Sequence, residues 1–157
     1  MTIHFRRYGT GALLAALLCV GLSATRVLAH HSFAMYDQTK IVTMTGVVTR
    51  FVSQANHAEI HFVPLGPDSK PVRDAAGKPT SWGIEMGGAA AEAARGVSVT
   101  TFAPGTIFSA KLNPLRDGNS FGSKVGALAK CPKGKVPAPG KHCDSVEGAE
   151  IVGGEAF

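Results

Sequence analysis

Ile41-Val-Thr-Met-Thr-Gly46-Val-Val-Thr-Arg-Phe-Val52 is the stretch that decides the fold. Its β-branched residues are crowded for a helix and suit a pleated surface, so it reads as one long strand. Gly46 interrupts the run and is the expected bulge. The next segment, His57-Ala-Glu-Ile-His-Phe-Val63, alternates polar and apolar residues. It reads as a second strand with Ala58, Ile60 and Phe62 on its buried face.

Outward from this pair, residues 64–80 hold four prolines and two glycines and read as a loop or an extended hairpin tip. Ser81 to Met86, around the single tryptophan Trp82, is a short third strand. Ala89 to Ala94 lies between Gly88 and Gly96 and predicts a short helix. Pro104-Gly105 is a turn, Thr106 to Leu112 a fourth strand, Arg116-Asp-Gly-Asn119 a turn and Lys124 to Ala129 a fifth strand. The order β-β-β-α-β-β is that of a small five-stranded barrel of the OB type, with its helix between strands three and four. Residues 30–129 form this domain, and 130–157 a tail that reads mostly as loop.

The first segment reads as a secretion signal. Arg6-Arg7 precede an apolar run from Gly11 to Leu22, and Val27-Leu-Ala29 offers a cleavage site. The run is too short to span a bilayer, which takes about 20 residues. An uncleaved anchor, a lipid on Cys19 or twin-arginine export fit the residues less well. The expectation is therefore a leader at 1–29, a periplasmic or secreted protein, and no stable membrane anchor after cleavage. Arg6, Arg7 and Arg26 leave with the leader, so the net charge falls from +5, leaving 13 Lys and Arg against 11 Asp and Glu. No basic stripe remains, which argues against a nucleic-acid partner.

Cys131 and Cys143 remain after removal of Cys19. An even pair in an oxidising compartment is expected to form a disulfide. It would close a Pro-, Gly- and Lys-rich loop and contribute about 3 kcal/mol. The alternative is a metal site from Cys131, His142 and Cys143, although neighbouring side chains seldom converge on one ion and no C-x-x-C occurs.

The string His30-His-Ser-Phe-Ala-Met-Tyr-Asp37 resembles the start of the mature region in DUF6152, a family of small secreted bacterial proteins of unknown function. Thr45-Gly-Val-Val48, Trp82-Gly-Ile-Glu85, Pro104-Gly105 and Pro114-Leu-Arg-Asp-Gly118 extend the resemblance, from about His30 to Gly126. Where that family shows Asn-Pro-His after the first strand, this chain has Ala55-Asn56-His57. The resemblance implies a secreted domain and carries no activity with it.

Chemistry is therefore weighed from the residues. A chain beginning at His30 could chelate an ion through its α-amine and imidazole, a set that suits copper or zinc. This resembles half of the histidine brace of copper monooxygenases. The candidate metal ligands are His30, His31, His57, Glu59 and His61. His57 and His61 lie roughly 13 Å apart along a strand and cannot share an ion. Glu59 with one of them could, and Asp37 or Glu85 could add a contact. The bland reading is a loose amino-terminus beside a solvated strand face. Phe33, Tyr36, Phe51 and Phe62 suit a core or a groove. Gly118-Asn-Ser120-Phe-Gly122 fits G-x-S-x-G, but a turn precedes it where a nucleophile elbow needs a strand. His57-x-Glu59-x-His61 is not a helical H-E-x-x-H site.

The reading is an exported, non-catalytic binding module for a metal ion, a small ligand or a protein. A metal-dependent periplasmic enzyme and a structural or partner-binding protein are the alternatives.

Overall fold

The structure, a computed structural model, describes residues 31–157. The leader at 1–29, its cleavage site and His30 lie outside the described residues. His31 opens a single helical turn, α1 (His31–Ala34). The barrel unit runs from Met35 to Phe157.

β1 (Val42–Ser53) is the strand on which the barrel is built. It pairs antiparallel with β2 (Ala58–Pro64) on one side and with β4 (Ile107–Pro114) on the other. β3 (Trp82–Glu85) lies antiparallel to β2. β5 (Phe121–Lys130) lies antiparallel to β4 and parallel to β3, which closes the barrel. α2 (Ala89–Ala94) connects β3 to β4, as the sequence order predicts. The five-stranded barrel thus follows the strand order and helix position of the OB type.

The bulge falls at a different residue from the one expected. Gly46 pairs regularly with Pro64 and Phe108, and the register of β1 against β2 slips between Val48 and Arg50 instead. Gly46 is needed because the Phe62 ring lies against it; a Cβ there would meet that ring and the Val63 carbonyl. The bulge at Thr49 leaves Thr49 and Arg50 both exposed and turns Phe51 onto the core.

Alternation fills the barrel. Val48, Ile60, Phe62, Ile84, Phe108 and Leu112 are buried to within 2%. Phe108 takes the edges of Phe62 and Phe102, with ring centres 5.3 and 5.7 Å away. Each such ring contributes about 1.5–3 kcal/mol by burial, and the perpendicular geometry adds to it.

The tail contributes a strand that its composition does not announce. β3 has only four residues, so the second half of β5 has no β3 partner. β6 (Glu150–Val152) covers that edge, pairing with Leu128 to Lys130. Cys131 and Cys143 are joined as a disulfide, as expected, and pack with Ala129 against Ile107, Val146 and Phe157. The metal alternative at this place is excluded, since both sulfurs are spent in the disulfide.

Candidate functional site

β2 presents two faces. Ala58, Ile60 and Phe62 point into the barrel, and Glu59 and His61 point outward. The register with β3 sets Glu85 opposite Glu59 and Gly83 opposite His61. The Phe121 ring of β5 covers Gly83, where a Cβ would collide with it, and tilts toward His61 at 6.3 Å between ring centres. His57 ends the β1–β2 turn, which is held by Gln54 N–H to the His57 carbonyl at 3.1 Å.

Opposed carboxylates on one sheet face repel, and here each has its own partner. His57 Nδ1 lies 3.1 Å from Glu85 Oε1, and His61 Nε2 lies 2.8 Å from Glu59 Oε2. Tyr36 donates its hydroxyl to Glu85 Oε2 at 2.8 Å. Tyr36 is held in place by backbone bonds between 35–37 and the end of β4: Asp37 N–H to the Pro114 carbonyl, and Arg116 N–H to the Met35 carbonyl. Burial, then the Glu85 carboxylate, pushes the Tyr36 phenol well above its ordinary range.

Arg50 Nη2 also approaches His61 Nε2, at 3.1 Å. One ring nitrogen cannot accept from a guanidinium and donate to a carboxylate at once. The shorter contact to Glu59 places the proton on Nε2. Glu59 then accepts from His61, and Arg50 flanks the pair.

Of the residues expected to bind metal, the structure therefore brings Glu59 and His61 together and pairs His57 with Glu85. Among the described residues, no three His, Cys, Asp or Glu side chains are grouped to hold one ion. Asp37 is turned to Thr39 and Lys40. Phe62 and Tyr36 are buried and line no open groove. Ser120 stands between an Asp117–Asn119 turn and the start of β5, so its motif is a turn.

A second feature lies at the barrel end made by the start of β1, the end of β2 and the start of β3. Here a cavity of about 600 Å³ opens above the core. Met44 and Trp82, which also touch the core, are among its walls, with Val42, Leu65, Val72 and Pro137. Val42 and Val72 are each 38% exposed, so this part of the wall is open to solvent. The long β2–β3 connection forms one side, folded back through bridges Leu65–Pro71 and Arg73–Pro79. The disulfide loop forms the other, clasped to it by Ser69 Oγ to the Pro137 carbonyl at 2.8 Å and by Gly140 N–H to the Pro67 carbonyl at 3.1 Å.

The polar part of this wall is a buried chain. The Cys143 N–H donates to Ser109 Oγ at 2.8 Å; Ser109 Oγ lies 2.6 Å from Thr45 Oγ1; Thr45 Oγ1 lies 2.8 Å from His142 Nδ1. Sequence reasoning missed this arrangement and the role of Arg50. Thr45 and Ser109 are outward residues of paired strands, and nothing in their own pattern shows that the tail covers them.

The chain matches a family model described as a family of unknown function, DUF6152, over residues 16–124. It belongs to that family. The match takes in β1 to β4, the start of β5 and the β1, β2 and β3 walls of the cavity, while 125–157, with the rest of β5, β6 and the disulfide loop, lies beyond it. No curated protein and no solved structure matches the chain.

Proposed function

We propose that this DUF6152 domain is an exported, non-catalytic binding module that takes a small apolar molecule in the cavity at the barrel end. The observation that carries the reading is the cavity itself. Its volume, about 600 Å³, falls among those of small-molecule sites, and its walls are apolar with a few polar groups. The disulfide supports export to an oxidising compartment. The test is a titration with N-phenylnaphthylamine, a neutral apolar fluorophore. Trp82 is the only tryptophan and lines the cavity, so energy transfer from it reports occupancy. Saturable transfer supports the reading; no transfer at any probe concentration overturns it.

A second reading rests on export. Cleavage after Ala29 would give a free amino-terminal His30 able to chelate Cu(II) or zinc. Calorimetry of the processed protein should then find micromolar or tighter Cu(II) binding, weakened by one extra residue before His30. Binding indifferent to that residue would remove this reading.

A further inference from the structure

We infer that the molecule taken by the cavity is an apolar monocarboxylate, its head group held by His142 and Lys141. The inference rests on the cavity being the binding site, as proposed above.

The argument begins with the buried hydroxyls. Ser109 is fully buried and Thr45 nearly so. Buried polar groups need partners. Ser109 Oγ already accepts from the Cys143 N–H, and its only other contact among the described residues is Thr45. The Ser109 proton must therefore go to Thr45 Oγ1, and the Thr45 proton to His142 Nδ1. The opposite direction would leave a buried Ser109 hydroxyl proton with no acceptor. His142 Nδ1 is thus an acceptor, which leaves Nε2 as the N–H of the ring.

Nε2 has no partner among the described residues, and His142 lines the cavity. With Nδ1 turned to Thr45, the free N–H on the opposite ring edge is the donor that the inference assigns to the occupant. Lys141 lines it as well, is exposed, and its ammonium is unpaired among the described residues. No Asp or Glu is among the lining residues. A fixed N–H donor, a nearby cation and apolar walls together select an acceptor-bearing, negatively charged head on an apolar body. Cations find no counter-charge there.

Displacement of N-phenylnaphthylamine by decanoate, decanol and decylamine tests this, read by Trp82 energy transfer. Decanoate should displace the probe at about tenfold lower concentration than decanol, as a charge-assisted hydrogen bond implies, and decylamine should be weakest. His142→Met, which fills the place without a donor, should abolish the preference for decanoate. His142→Gln, which keeps an N–H, should retain part of it. Lys141→Gln should reduce it by a smaller factor. Circular dichroism shows that the variants fold, and each variant's decanoate-to-decanol ratio is read against its own affinity for the neutral probe. Equal displacement by decanoate and decanol, or a preference untouched by His142→Met, overturns the carboxylate inference and leaves the cavity reading standing. Failure of the parent protein to bind the neutral probe overturns that reading and this inference with it.

Discussion

The Lys124 ammonium lies 2.7 Å from Glu92 Oε2, and both side chains are buried, at 8% and 3% exposure. Lys124 also donates to the Gly153 carbonyl at 2.8 Å, and Glu92 Oε1 accepts from the Gly87 N–H at 3.2 Å. One ion pair thus ties α2, β5 and the segment after β6 together. It also explains how a six-residue alanine-rich helix holds its place, since a helix that short is unstable alone.

Removing either charge strands the other. Glu92→Leu or Lys124→Met alone should cost about 3–5 kcal/mol of unfolding free energy. The double replacement Glu92→Leu, Lys124→Met should cost clearly less than the sum of the two singles, because no uncompensated charge remains. Urea denaturation of all variants measures this. Additive losses would mean that the pair is not coupled.

Tyr36 supplies a pH prediction. The chain has two tyrosines, Tyr8 and Tyr36, and removal of the leader leaves Tyr36 alone. Its phenol is raised by burial first and by Glu85 second. The folded state therefore holds the proton more tightly than the unfolded state, whose value is about 10. The stability this contributes is complete below about pH 10 and is lost as pH rises above it. The tyrosinate absorbance of the processed protein should stay flat beyond pH 10 and then appear together with unfolding. Glu85→Gln should bring the onset part of the way down, since burial remains. A free titration near pH 10 in the folded protein would contradict the Tyr36–Glu85 contact.

The strand order, the helix at Ala89–Ala94 and the inward set Ala58, Ile60 and Phe62 were legible because each follows from local pattern. The bulge was not, because Gly46 carried two readings, an irregular backbone or a close neighbour, and Phe62 decides between them from another strand. The adjacent polar pair Thr49-Arg50 between apolar residues was the signal that strict alternation breaks there. The Glu59–Glu85 opposition needed the β2–β3 register, which a seventeen-residue connection hides. His142 was visible only as a neighbour of cysteine. Its role depends on the disulfide folding the tail over Thr45 and Ser109, a contact 97 residues apart in the chain.

Asp37 gives a local check on the segment that positions Tyr36. Its carboxyl is held down at about 2, first by the Thr39 hydroxyl and then by Lys40. The folded value lies below the unfolded value of about 3.9. The stabilisation is present above about pH 4 and fades as pH falls through 2. Carboxyl NMR should show Asp37 titrating last among the aspartates, and Thr39→Ala should raise its midpoint. A midpoint unmoved by that change would mean that the hydroxyl contact, 2.6 Å to Oδ1, is not maintained in solution.

The disulfide should matter to the cavity as well as to stability. Cys143 donates its backbone N–H to Ser109, so the bond fixes both the end of the hydroxyl chain and the neighbouring His142. Replacing Cys131 and Cys143 by alanine should cost about 2–5 kcal/mol. The loop that bears Lys141 and His142 should loosen at the same time, because Ser69 to Pro137 and Gly140 to Pro67 are its main remaining ties to the β2–β3 connection. Under conditions where the barrel is still folded by circular dichroism, the variant should therefore lose its preference for decanoate over decanol before it loses the neutral probe. The neutral probe is expected to rest on Met44, Leu65 and Trp82, which line the cavity and which the barrel strands and the β2–β3 connection hold without the disulfide. Simultaneous loss of both would show that the loop is the cavity's main wall and not its polar end.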